Sequence, residues 1–576
     1  MIYYIIDDCK YFSKHNRSVI TNMRVADFFC GGGGFSEGFR QAGFELVFAV
    51  DKWEPAVITY KGNKPYVNVI KDDIIRIAAL SDEEFETLVP DTEVIIGSPP
   101  CQAFSQSNKS GNGDKSLGIQ LLEAYLRIIA RKKFKNNSIL KYWVLENVPN
   151  VKKYIKESYT AEELNLSGNF ILYTRGKGAG IYNAKNFGAP TNRKRYLCGD
   201  FPRLIETHKD NQVIKLKDVL DSLGNPLDDT IEIINDVNYP ELNLPRNKVT
   251  DHQYIYELAP FEWKTAKRLK QDKGYMGKMS FPENLERPAR TVMATMTASS
   301  REAMILGYGK NKYRLPTVRE AASMMSFPID YWFYGKSKGI KHTLVGNAVP
   351  PKLSYAIAKA IALEAGANIP NHYIPIQHAE EINFTDLNGS IFLPNKERPK
   401  KATAKFKYHI PYLIIKEYRV ELTNYKSDFN NNNFQWDTEI HYSQGKEKAK
   451  VFSFKLTLRR IPTNYRKSIT EFLNQYYKKC HSFNSFQKIY CLTSEDRLKN
   501  NQIGPHELLS KIKLFINDLI PPDKQGIMIK TGQNPEYLPE AILVGYYILQ
   551  RITKKMGGNH NGRFNKKTKT NGNSEQ

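Results

Sequence analysis

Three side-chain types in the first 200 residues have the chemistry to act together on one substrate: a thiol, a carboxyl and a pair of guanidinium groups. Cys101 follows Gly97-Ser98-Pro99-Pro100, and the apolar run Val94-Ile95-Ile96 ahead of it reads as a buried strand. Two prolines fix φ and end strand pairing, so the cysteine stands at the carboxyl end of the strand, where open α/β sheets place their ligands. Glu146 follows a second apolar run, Tyr142–Leu145. In a parallel sheet both residues open on the same crevice, where a thiol and a carboxyl can serve one reaction. Arg193 and Arg195 are two apart, which on a β-strand turns both to one face and lets both enter that cleft. Their charge supplies what a reactive thiolate needs. Taken singly, each has a plainer reading as a core cysteine, a helix cap or a solvated basic edge. The spacing of all of them at strand ends is what points to covalent chemistry.

Two further strand ends carry acids, and a third carries glycines. Val25–Phe29 runs into Cys30-Gly31-Gly32-Gly33-Gly34, and Phe35, Phe39 and Ala42 then recur at helical spacing up to Gly43. The pattern is not G-x-G-x-x-G, because Ser36 stands three residues after Gly33, so a pyrophosphate is not indicated. Glycines here let a ligand approach the backbone closely, and the helix start beyond them favours an anionic group such as a carboxylate. Asp51 ends the strand Leu46–Val50, where an acid can take both hydroxyls of a ribose. Asp73 follows Tyr66–Ile70 and can accept a hydrogen bond from an exocyclic amine. The set indicates a nucleoside-containing cofactor with no required phosphate.

The elements that must position these residues alternate strand and helix from 24 to 200, including a helical stripe over 117–131, which predicts an α/β fold with a doubly wound, mainly parallel sheet. Residues 1–22 read as a leader, with Met23 a possible start, and residues 23–200 as the catalytic domain. Residues 201–315 break the rhythm with Pro-, Asn- and charge-rich text and read as a smaller separate domain. Residues 316–368 complete the first domain: a Thr317-capped helix, a loop over Lys341–Pro351 and a helix over Leu353–Ala365. Residues 369–554 form an extra α+β region, with strand alternation in Val451–Leu458 and helices over 505–520 and 537–552. Asp437, Glu439 and Lys446 there have a spacing that chance accounts for, and residues 555–576 read as a disordered basic tail.

Composition bounds the function. The 576 residues hold 84 Lys+Arg against 60 Asp+Glu, a net charge of +24, which suggests a polyanionic partner, most simply nucleic acid. The hydrophobic share of 41% is enough for real cores, so this is not merely a basic tail protein. Six cysteines without a CxxC pair argue against a zinc site or disulfide framework and for a reducing, cytoplasmic setting. No apolar run reaches membrane-spanning length, and the N-terminus lacks the charged-then-apolar order of a signal peptide.

Taken in order, these stretches resemble the C5-cytosine DNA methyltransferase family. Asp27-Phe28-Phe29-Cys30-Gly31-Gly32-Gly33-Gly34-Phe35-Ser36 is similar to its cofactor loop, Gly97–Ser105 to its Pro-Cys nucleophile motif, and Glu146-Asn147-Val148 to its Glu-Asn-Val. Thr191–Arg195 is similar to its Gln-x-Arg-x-Arg motif, Arg319–Pro328 to its following helix, and Gly346-Asn347-Ala348-Val349-Pro350 to its last motif. Thr191 and Met325 stand where the family has Gln, which touches pocket support and leaves the reacting groups intact. The resemblance implies S-adenosyl-L-methionine as cofactor, held around Phe29, Gly31, Gly33, Asp51, Trp53, Asp73, Pro100, Asn347 and Val349. It implies a Rossmann-like catalytic sheet, residues 201–315 as a target-recognition domain with Thr291-Val292 as its Thr-Leu pair, and no metal. Cys101 would attack carbon 6 of cytosine, a protonated Glu146 would relieve charge at N3, and Arg195 and Arg193 would hold the O2 edge and sugar-phosphate.

Because the reacting carbons lie inside a stacked duplex, the base must be flipped out, with Phe104–Gly118 closing over it. The implied partner is double-stranded DNA and no membrane, the chain acting as a monomer beside a cognate restriction endonuclease of the same restriction-modification system. A tRNA methyltransferase of the same fold and a catalytically silent DNA-binding relative remain as alternatives. The insert of about 115 residues favours DNA over a small RNA, and intact Cys101, Glu146, Arg193 and Arg195 argue against a silent protein.

Overall fold

Short runs rich in Val, Ile and Phe, each closed by a turn or an acid, build the central sheet. The protein is described by a computed structural model for residues 23–100, 115–271, 279–298, 300–442, 450–478 and 482–558. Five strands are parallel: β1 (Arg24–Phe28), β2 (Glu45–Asp51), β3 (Asn68–Lys71), β4 (Val94–Gly97) and β5 (Tyr142–Asn147), in the order β3-β2-β1-β4-β5. The strand Lys194–Asp200 then pairs antiparallel with β5, and Gly180–Asn183 antiparallel with it, completing seven strands. The order reverses between β1 and β4, so the ligand crevice of this doubly wound α/β sheet opens outside their carboxyl ends.

Helices cover both faces, as parallel strands require. One face packs Val25, Leu46, Ile96 and Val144 against α1 (Gly34–Gln41) and the helix Pro351–Glu364. The other packs Phe28, Val50, Ile95 and Leu145 against α3 (Ile74–Ala78) and α5 (Ser116–Lys133), which follow α2 (Glu54–Asn63) and, for α5, α4 (Asp82–Leu88). The stripe predicted over 117–131 thus forms its helix, and the burial of Leu122, Tyr125, Ile128 and Ile129 is what holds it.

The chain divides into two compact units, residues 1–258 with 282–394, and residues 259–281 with 395–576. This differs from the boundaries expected at 201–315 and 369. The helix Pro260–Gln271 groups with the second unit, where the Arg268 guanidinium stacks 5.1 Å from the Tyr408 ring. Residues 369–394 group with the first: Arg40 donates to the carbonyls of Ile374 (2.7 Å) and Pro375 (3.0 Å), and Ile391–Phe392 pairs with Ile255–Glu257. A second correction concerns Lys341–Pro351, expected as a loop. A helix runs over Lys338–Asn347, capped by the Ser337 hydroxyl, which accepts from the Ile340 N–H, and the chain leaves it before Pro350-Pro351.

The second unit has its own core. An antiparallel sheet of Lys407–Ile415, Tyr418–Thr423, Asp437–Tyr442 and Lys450–Phe452 packs with the helices Thr463–Tyr477, Pro505–Leu519 and Glu540–Gly558 around Trp436, Ile440, Leu509 and Ile548. The strand expected through Leu458 stops at Phe452.

Candidate active site at the carboxyl ends of the central strands

β5 presents Glu146 as its last residue but one, 4% exposed. Register sets Leu145 beside Gly97 at the end of β4, so the two strands finish level and their following residues meet. The Ser98 N–H donates to the Phe28 carbonyl (3.2 Å), and its hydroxyl donates to Glu146 Oε2 at 2.5 Å. The other carboxylate oxygen lies 2.8 Å from Arg195 Nε. Asn147 Nδ2 donates to the Pro99 carbonyl (2.9 Å) while its Oδ1 accepts from the Val148 N–H (2.8 Å), so the end of β5 braces the proline turn directly. Pro100 is exposed. Cys101 and residues to 114, which include most of the expected closing loop, lie outside the described residues.

Arg193 and Arg195 part company. Arg193 falls between the two-residue strand Thr191–Asn192 and the strand Lys194–Asp200, so the alternation that would turn it to the same face as Arg195 is broken there. Its guanidinium is 3% exposed and donates to the carbonyls of Val292 (3.1 Å), Gly346 (2.9 Å) and Ala348 (3.0 Å). It is a clasp between three distant segments, whereas Arg195 faces the carboxyl of Glu146.

A second group of residues gathers at the ends of β1, β2 and β3. Phe29 takes a left-handed backbone (φ 55°), a sparsely populated state for a non-glycine residue that turns the chain sharply out of β1. Gly31 follows at φ 51°, and the volume where its side chain would be is open, leaving room for a ligand against the backbone. Asp51 bridges the turns: Oδ2 accepts from the Gly31 N–H (2.9 Å) and Oδ1 from the Trp53 N–H (2.8 Å). Burial pushes its carboxyl above the usual range, and these N–H groups oppose that. Each oxygen keeps a lone pair for a hydroxyl. The Trp53 ring is 36% exposed beside it. Asp73 caps α3 by accepting from the Ile75 N–H (3.0 Å), and Lys52 pairs with its other oxygen at 2.6 Å. The open cradle at Gly31 and the Asp51 oxygens fit the nucleoside of S-adenosyl-L-methionine.

Other expected cofactor residues support this site from behind. Gly33 is buried, with the Tyr331 hydroxyl in the space a side chain would take, and Val349 is buried with its carbonyl 2.5 Å from where a Cβ on Gly34 would stand. Asn347 is exposed at the end of its helix. Tyr331 donates to the Gly32 carbonyl (2.6 Å) and accepts from Lys64 Nζ (2.9 Å), which lies 3.3 Å from Glu37. Burial holds the Lys64 ammonium down to about 8 and pushes the Asp27 carboxyl up to about 8, Ser36 opposing the latter by hydrogen bonding. This network fixes the glycine turn from inside.

The sequence profile of the C-5 cytosine-specific DNA methylases matches residues 23–363. The chain belongs to this family. The type II methyltransferase M.MthTI of Methanothermobacter thermautotrophicus is 28% identical over 354 residues, 59% of this chain and 97% of that one. M.NgoPII of Neisseria gonorrhoeae, also a type II methyltransferase, is 28% identical over 59% of this chain and 95% of its own. Among solved structures, the Entamoeba histolytica methyltransferase EhMeth is similar over 60% of this chain, at 16% identity and TM-score 0.40. As a C-5 cytosine methylase the chain uses S-adenosyl-L-methionine and modifies cytosine in DNA.

Sequence reasoning passed over Ser98, Asn147, Lys64 and Tyr331. Ser98 and Asn147 stand inside motifs already quoted, so an unassigned hydrogen-bonding group next to each reacting residue was the available signal. Lys64 and Tyr331 carried none, since their meeting depends on segments 267 residues apart.

Proposed function

We propose that this methylase is the modification enzyme of a type II restriction-modification system, acting as a monomer on double-stranded DNA in the cytoplasm beside a cognate endonuclease. Its type II relatives support that role, and the observation that carries the site is the Ser98–Glu146–Arg195 cluster set against the braced Pro99-Pro100 turn, which Cys101 follows in the sequence. When bound, S-adenosyl-L-methionine supplies an electrophilic methyl group. Asp51, with Gly31 and Trp53 around it, holds its nucleoside, and Asp73 exchanges Lys52 for an exocyclic amine.

Cys101 adds as thiolate to carbon 6 of the flipped cytosine, and the displaced ring electrons collect between carbon 5 and N3. Glu146 gives or shares a proton at N3, steered by the Ser98 hydroxyl and Arg195, so that carbon 5 becomes the nucleophile. After methylation the carbon 5 proton leaves to a base, the sulfur–carbon bond breaks, and Cys101 is regenerated. Arg193 does not touch the base in this reading; it positions the strand that bears Arg195. Residues 201–258 and 282–315 read the target sequence, with their basic side chains on phosphates.

The test is incubation with labelled S-adenosyl-L-methionine and either duplex DNA or tRNA, followed by mapping of 5-methylcytosine. Label in tRNA alone overturns the substrate assignment. Cys101→Ser should abolish turnover, and a variant that still methylates removes Cys101 from the mechanism.

A further inference from the structure

The positive charge of this chain is not where its chemistry is. Residues 395–576 hold 33 lysines and arginines against 16 aspartates and glutamates, a net +17 of the chain's +24. The 394 residues before them, which include the whole methylase match, carry only +7. Some of these charges are answered locally. Glu421 pairs with Arg419 (2.5 Å) and Lys407 (3.4 Å), Lys426 lies near Asp437 (3.6 Å) and Glu439 (3.4 Å), and Arg497 pairs with Glu507 (2.8 Å).

One stretch concentrates basic residues without an acid among them. From Lys450 to Thr470 there are six basic residues and no acidic one. This stretch leads from the edge strand Lys450–Phe452 through a 3-10 turn at Leu458–Arg460 into the helix Thr463–Tyr477. Arg466 is used structurally: it donates to the carbonyls of Ile461 and Arg459, both at 2.8 Å, and so fixes the turn's backbone. Lys450, Lys455, Arg459, Arg460 and Lys467 are exposed, and none pairs with a described carboxylate. Thr457, Thr463 and Asn464, also exposed, add neutral hydrogen-bonding groups of the kind that contact phosphates.

We infer that this turn is a phosphate-backbone contact surface, and that the second unit is a sequence-independent duplex-DNA-binding module tethered to the methylase. The inference rests on the reading of the chain as a DNA methyltransferase. A fixed turn with unanswered positive charge recovers free energy chiefly through counterion release on meeting a polyanion. DNA is the favoured polyanion because the tether holds the surface at high effective concentration near the methylase's own substrate. Its contribution is to affinity and search along DNA, not to the chemical step.

The test uses the full chain, the quadruple variant K455Q/R459Q/R460Q/K467Q and the conservative K455R/K467R. The probe is a duplex of dA·dT pairs alone, which contains no cytosine and so no target. Four lost contacts should lower the slope of log K against log salt by about 3–4, at ~0.9 per phosphate contact. Affinity at 0.1 M salt should fall by at least about 10-fold, and the KM for plasmid DNA should rise while kcat stays within about 2-fold. The conservative variant should bind as the unaltered chain does. An unchanged slope in a quadruple variant whose melting matches the parent overturns the inference, as does a loss confined to single-stranded RNA. Wild-type protein that fails to methylate DNA instead overturns the functional reading beneath it, so the two failures are distinguishable.

Discussion

Arg193 offers the sharpest test of how the site is built. Its buried guanidinium serves the Val292, Gly346 and Ala348 carbonyls. Arg193→Met keeps much of the stem's volume and removes every donor. A buried polar group left without its partner costs about 1–3 kcal/mol, so three carbonyls with partial relief by water should cost about 3–6 kcal/mol. With an unfolding entropy of ~2.1 cal/mol/K per residue over the roughly 330 described residues of the first unit, that corresponds to a fall of about 4–9 °C in its melting temperature. Differential scanning calorimetry reads the two units as separate transitions if they melt independently, and only the first should move. Arg193→Lys, which restores one charged donor, should recover part of the loss. At 20 °C the folded fraction should still methylate, with a weakened KM for cofactor because Gly346 and Ala348 flank Asn347 and adjoin Val349. A melting temperature unchanged to within about 1 °C, with turnover down 100-fold or more, would refute the clasp and return Arg193 to the substrate.

Two further outcomes follow from the same geometry. Glu146→Gln should keep the fold, retain the contact with Ser98 and lower kcat by about 10²–10⁴, the usual contribution of a positioned proton donor; near-normal turnover would exclude Glu146 as the acid. Asp27 is protonated in the folded state up to about pH 8, but an unfolded carboxyl ionises near 3.8, so the native state binds more protons between those values and stability from this group falls as pH rises across them. Asp27→Asn should therefore flatten the melting temperature of the first unit from pH 4 to 8 and raise it at pH 8; an equal or lower value at pH 8 would show that the buried carboxyl is not the cause.

Much of the fold was legible because its signals are local. Val94-Ile95-Ile96 and Tyr142–Leu145 read as strands from their own text, and the proline pair and Glu146 mark where each ends. The stripe from Leu121 to Ile129 read as a helix for the same reason. The Lys338–Asn347 helix was missed because His342, Thr343 and Gly346 are weak helix formers, and burial of Lys341, Leu344 and Val345 overrides them. The segment 260–271 was assigned to the wrong body because no local signal says which core an amphipathic helix will join.

The sequence by itself determined the family, through motifs whose order matches residues 23–363, and named the candidates for its chemistry: a thiol, a carboxyl and an acid each beside the text of a strand. Side-chain identity and short-range spacing suffice for that, since strand ends of a parallel sheet necessarily share one crevice. The tertiary structure decided how the charged groups are used. Arg193 and Arg195 are two residues apart and chemically identical. One meets Glu146, and the other meets carbonyls 99, 153 and 155 residues away. A long side chain's role is fixed by whichever partners desolvate it, and those partners are set by packing between distant segments, which no window of sequence contains.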